Sequence, residues 1–375
     1  MKRAFRSWFL HAGLVGALAT AFSACSKTAP SGQTLNSAPQ SRASGRPAPA
    51  SLLGAELRRD PSAVPEDDLI AIDDTKREAA VRALARIQDE QSFAALAKAL
   101  SDEKPAVVTW AAFGVGHLCR TREPEAVRKL VLRATTVFAQ PPDPARNSAL
   151  RELSVAIGRC ASEEAERSLR AWLRLDPELA ELAALGLAQL ARRRKRLDDA
   201  TIAALLDAAA KQGSGTYLHP LESLPGLGSA AQQRLLEVAR PVLERAEPAR
   251  AFAIRALAKA NADAAHPLLV LLEAASTSDG ERAEAARSLS ALGEAGQSAL
   301  AAALRQQARS LLDTKAWLTS QHGVVLTMLE GLAPKSAEPG VLLELAQLPL
   351  GGEAPPVLRR KIMLRCRAAA LLAGR

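Results

Sequence analysis

The chain has 375 residues, with 49 Lys+Arg against 40 Asp+Glu and a formal net charge of +9. Six of its cations (Lys2, Arg3, Arg6, Lys27, Arg42 and Arg46) fall in the first 50 residues, where no acid occurs, so residues 51–375 carry only +3. A body this close to neutral has no general electrostatic reason to bind nucleic acid.

The chain opens with a basic start, an apolar stretch from Trp8 to Ala21 and small residues before a cysteine. That order predicts an export signal over residues 1–24. The stretch falls short of the roughly 20 apolar residues that cross a bilayer. Phe22-Ser23-Ala24-Cys25 resembles the lipobox of bacterial lipoproteins. The resemblance implies that Cys25 becomes the first residue of the mature chain and carries the acyl groups, attaching it to the membrane. Ser26 is not the aspartate that resembles an inner-membrane retention signal, so an outer-membrane address facing the periplasm is expected. Residues 25–50 form the lipidated cysteine and a Ser, Ala, Pro and Gly-rich tether with almost nothing to bury, which predicts disorder.

From residue 51 to 375 the pattern is helical. Phe93, Leu96 and Leu100 share one face, as do Val127, Leu130, Val131, Ala134 and Phe138. Asp-Pro at 143–144 and 176–177, Glu-Pro at 123–124, 247–248 and 338–339, and His266-Pro267 punctuate the helices; proline suits a helix's first turn. A small-then-apolar dipeptide recurs at Ala83-Leu84, Gly114-Val115, Ala156-Ile157, Gly186-Leu187, Ala256-Leu257 and Ser288-Leu289. It returns less cleanly at Met328-Leu329 and Ala370-Leu371. The steps are about 30–42 residues, with one double step across an irregular region at 197–250.

Around these dipeptides the sequence resembles HEAT-type (armadillo-like) repeats, best at residues 76–87 and 281–293. The resemblance implies an all-α fold, a right-handed superhelix of about eight helix pairs. Each pair would bury its apolar face on the next. Small residues at the recurring position would let the inner helices approach closely.

Little in the body reads as chemistry. His117, His219, His266 and His322 stand alone without metal-ligand spacing, and no GxSxG elbow occurs, so neither a metal nor a cofactor is expected. His117 reads as a packed or half-exposed residue. Arg192, Arg193, Arg194, Lys195 and Arg196 close an inner helix; cations suit a helix C-terminus, and an anion site is the alternative reading. Cys119 and Cys160 end neighbouring inner helices. Because packed axes lie about 8–10 Å apart and a disulfide needs Cα atoms within about 7 Å, two buried free thiols are predicted unless the ends converge. Cys366 has no apparent partner. Residues 213–228, with Tyr217, His219 and several leucines, read as a degraded repeat bridging two stacks, or as a projecting loop.

The expected function is that of a non-catalytic scaffold binding an unidentified envelope protein. Arg82, Arg159, Gln189 and Arg255 are its candidate contacts on the inner helices. Some bacterial lipoproteins of similar appearance place HEAT-like repeats ahead of a cyclophilin-type prolyl isomerase. The second expectation is therefore that this chain is the helical part of such an enzyme, continuing past Arg375, although residues 1–375 hold no cyclophilin motif.

Overall fold

The computed structural model describes residues 50–245, 248–274, 276–313, 319–350 and 355–375. The expected leader, Cys25 and the tether up to residue 49 lie outside them. Every regular element among the described residues is helical, and they divide into two compact units, residues 50–256 and 257–375.

In the first unit an inner row of helices is formed by α1 (Ala50–Arg58), α2 (Asp74–Ile87), α4 (Pro105–His117), α6 (Pro144–Cys160), α8 (Pro177–Arg194) and α11 (Arg250–Ala256). Outer helices α3 (Phe93–Ala99), α5 (Glu123–Phe138), α7 (Glu163–Trp172), α9 (Asp199–Gln212) and α10 (Ser229–Leu243) alternate with them in sequence. Consecutive inner helices pack side by side from α1 to α8, and α5 packs on α6 as α7 does on α8. The unit at 257–375 repeats the scheme. Outer α12 (Ala265–Glu273), α14 (Glu294–Asp313) and α16 (Pro339–Ala346) alternate there with inner α13 (Asp279–Ala291), α15 (Thr319–Gly331) and α17 (Pro355–Ala373).

The punctuation seen in the sequence starts helices. Asp143 and Asp176 accept hydrogen bonds from Ala145 N and Glu178 N at 2.8 Å each, and each is followed by proline at the first helical position. Ser278 and Glu281 form a reciprocal capping box on α13. The recurring dipeptides line the contacts between inner helices: from Ala83 to Leu329 they are buried. Ala370 breaks the pattern, since it is exposed while Leu371 is buried.

Glycines two residues past their first members set the spacing. A Cβ on Gly158 would sit 1.9 Å from the carbonyl oxygen of Gly186 on α8, and one on Gly116 would meet Ala156 Cα at 2.8 Å. At these points backbone rests on backbone.

That closeness overturns the free-thiol expectation. With Gly116 against Ala156, the ends of α4 and α6 converge until Cys119 and Cys160 lie 5.2 Å apart at Cα and form a disulfide. Cys119 sits in a 3-10 turn just after α4, which adds the bend. Cys366, which the sequence left without an apparent partner, does not stand free of interactions.

The irregular region holds a second correction. Residues Gly215–Ser223 form a 3-10 helix that takes an inner-row place between α8 and α11. Tyr217, Leu218 and Leu221 are fully buried there, so the segment does not project, and its leucines belong to the core. Pro220 breaks α-helical hydrogen bonding, but i,i+3 geometry still presents a buried face.

Candidate binding surface

The side chains of the inner row fall into two aromatic-backed clusters, with an arginine group beside the first. In the first cluster Phe113 and His117, one turn apart on α4, stack with ring centroids 4.5 Å apart. Arg159 of α6 lies over the Phe113 ring at 4.9 Å and donates to Glu152 at 2.5 Å. In the second, His219 and Glu222 project from one face of the 3-10 helix. His219 packs 4.4 Å from the Phe252 ring, while Arg255 lies over that ring at 5.1 Å with its Nε 3.0 Å from Glu222. Each cluster thus holds an arginine flat against an aromatic face and pairs it with a mostly buried carboxylate.

Electrostatics follow from that packing. Burial pushes the Glu152 carboxyl above its ordinary range, against the pull of Arg159. Burial, with help from Arg159 and Arg193, pushes His117 down to about 4, so its ring is neutral at pH 7. Burial also raises the phenol of Tyr217 to about 12, with Glu181 adding to the shift.

The arginine group lies where α4, α6 and α8 end. Arg120 follows Cys119, Arg159 precedes Cys160, and Arg193 donates to the Arg159 carbonyl at 2.6 Å. Arg193 is lowered from its usual pKa by desolvation first and then by the charges of Arg120 and Arg159. Neither Arg120 nor Arg193 has an acidic partner among the described residues.

The predicted contacts are therefore divided. Gln189 packs against α6 at Gly158, the chain neighbour of Arg159, where an added Cβ would lie 3.1 Å from Gln189 Cβ. Arg255 belongs to the second cluster. Arg82 stands apart on α2, its Nε 4.0 Å from Glu56. The basic run is divided too. Arg194 is structural, donating at 2.8 Å to Glu166, which is fully buried and also accepts from Asp198 N. Lys195 takes the left-handed position that closes α8, and Arg192 reaches Gln189 at 3.4 Å. Arg193 joins the neighbouring helix ends, and Arg196 is exposed. Arg120, Phe113, Glu152 and Glu222 were not singled out from the sequence; the adjacency of Arg120 and Arg159 to the two cysteines was the available signal. Among the described residues, no group of three His, Cys, Asp or Glu side chains is placed to hold a metal ion. No described helix is long and apolar enough to cross a membrane.

Residues 71–154 match the family described as HEAT repeats. No curated protein matches the chain. Among solved structures, it is similar to the CpcE–CpcF complex of phycocyanin lyase from a Nostoc species, with 19% identity over 72% of this chain and 93% of that one, at a TM-score of 0.38. It is similar to Kap95p in a structure of its binding to RanGDP, with 11% identity over 86% of this chain and 46% of that one, at 0.48. Human deoxyhypusine hydroxylase gives 16% identity over 74% of this chain and 98% of that one, at 0.30. Residues 71–154 thus match HEAT repeats, and each unit repeats the inner–outer helix pairing of an all-α solenoid.

Proposed function

We propose that this chain is a non-catalytic binding scaffold, anchored in the bacterial envelope through a lipidated Cys25, and that it holds a protein partner along the inner row of residues 50–256. The observation that carries the reading is the placement of Arg159 and Arg255 on that row over half-buried aromatic rings. Arginine held over an aromatic face is a common anchor of protein interfaces. The Cys119–Cys160 disulfide supports an exported chain, because such bonds persist in oxidising compartments.

The test is photo-cross-linking in the intact envelope. A photoreactive residue at Gln189 should capture one discrete partner. The same residue at Leu132, exposed on the outer helix α5, should not. Equal capture from both positions, or from neither, would remove the scaffold reading.

A further inference from the structure

Three guanidinium groups from three successive repeats meet at one end of the inner row. Two are brought together by a covalent bond: Cys119 and Cys160 are 5.2 Å apart at Cα, and Arg120 and Arg159 are their immediate neighbours. The third, Arg193, is tied to the same place by its hydrogen bond to the Arg159 carbonyl. The carboxylate that pairs with Arg159 is Glu152 of the same helix. A cation at a helix C-terminus is favoured by the helix dipole. That explains one arginine closing its own helix. It does not explain gathering three where they repel, with two lacking any acidic partner among the described residues.

We propose that Arg120, Arg159 and Arg193 form an oxyanion site that takes a carboxylate side chain from an acidic segment of a protein partner, with the Cys119–Cys160 disulfide holding the site together. This rests on the scaffold reading and names the chemistry its partner must present. Apolar surface beside the charge favours a protein segment over a layer of lipid headgroups. Arg120 and Arg193 are exposed, while Arg159 is only 14% exposed at its side chain. The neighbouring rings of Phe113 and Trp110, in edge contact at 6.0 Å, give such a segment apolar surface beside the charge. Glu152 shows the preferred geometry within the chain itself: a carboxylate 2.5 Å from an arginine that is backed by an aromatic ring.

The test uses the full chain and a fluorescent hexaglutamate peptide, read by anisotropy at low salt. Saturable binding is expected, weakened about tenfold or more by the Arg120→Ala/Arg193→Ala pair, the loss of roughly one charge-assisted contact. Both residues are exposed, and an unchanged melting curve will show that the pair folds without the Arg193–Arg159 hydrogen bond. Arg305→Ala, which breaks an ion pair with Glu338 in the other unit, should leave the affinity unchanged. Cys119→Ala/Cys160→Ala should also weaken binding; full affinity in that variant would overturn the holding role of the disulfide. Hexaglutamate affinity that ignores the arginine pair would overturn the site, as would capture of phosphatidylglycerol vesicles with no peptide binding. If hexaglutamate fails while cross-linking from Gln189 persists, this inference falls and the scaffold reading stands.

Discussion

Arg146 is 3% exposed, yet every polar contact it makes is accounted for. It donates to the Val137 and Phe138 carbonyls at 3.3 and 2.8 Å, which are the open end of the outer helix α5, and to Glu178 on the next inner helix at 2.7 Å. Arg282 does the same for the Ala274 carbonyl in the other unit, and Arg77 for those of Ala71 and Ile72. An arginine near the start of an inner helix thus closes the segment before it, supplying donors that the final carbonyls lack. Arg146→Ala should lower unfolding stability by about 1.5–3 kcal/mol, the range for hydrogen bonds to a charged group. Urea melts check it, and a loss near zero would mean that solvent satisfies those carbonyls equally well. His117 makes a second residue-scale claim. Its pKa is held down to about 4 against an ordinary 6.5, so below pH 6.5 the unfolded chain binds a proton that the folded chain refuses until about pH 4. Stability should therefore fall as pH drops through that window, and be unaffected by this group above it. His117→Asn cannot titrate and should flatten that part of the profile; melts at stepped pH that give one slope for both proteins would contradict it.

Between elements, the governing quantity is how closely inner helices approach. Gly158→Ala would place a methyl 1.9 Å from the Gly186 carbonyl oxygen, so backbone must move. An overpacked contact of this kind costs about 1–3 kcal/mol. The expected drop in stability should be accompanied by looser protection of α6 and α8 in hydrogen exchange; a variant as stable as the parent would show that the two helices can part freely. The repeat itself was readable, because the small-apolar dipeptide is the direct consequence of that close packing. The disulfide was not. Its formation depends on how far Gly116 and Ala156 let two helix ends converge, a distance that spacing along the chain does not carry. Tyr217 and Leu218 were obscured for a different reason. Gly213, Gly215 and Pro220 carry the local signature of a loop, while the place of that segment in the inner row is decided by its neighbours α8 and α11. In the basic run, composition alone could not separate Arg194, bound to a buried Glu166, from Arg193, which faces two other arginines.

For the whole molecule, the proposal joins two parts of the sequence: a cysteine after a short apolar leader, and helical repeats whose inner row offers aromatic-backed arginines. Neither alone makes an envelope scaffold. Without the anchor the repeats have no address, and without the row the anchor has nothing to present. Cys25→Ser should release the protein from the membrane fraction into the soluble fraction while leaving its helical circular dichroism unchanged. The most direct measurement is the intact mass of the native protein extracted from membranes with detergent. The proposal predicts the mass of residues 25–375 plus acyl groups. A mass that retains residues 1–24, or one without added acyl groups, would contradict it, and one that includes further polypeptide would favour the enzymatic alternative.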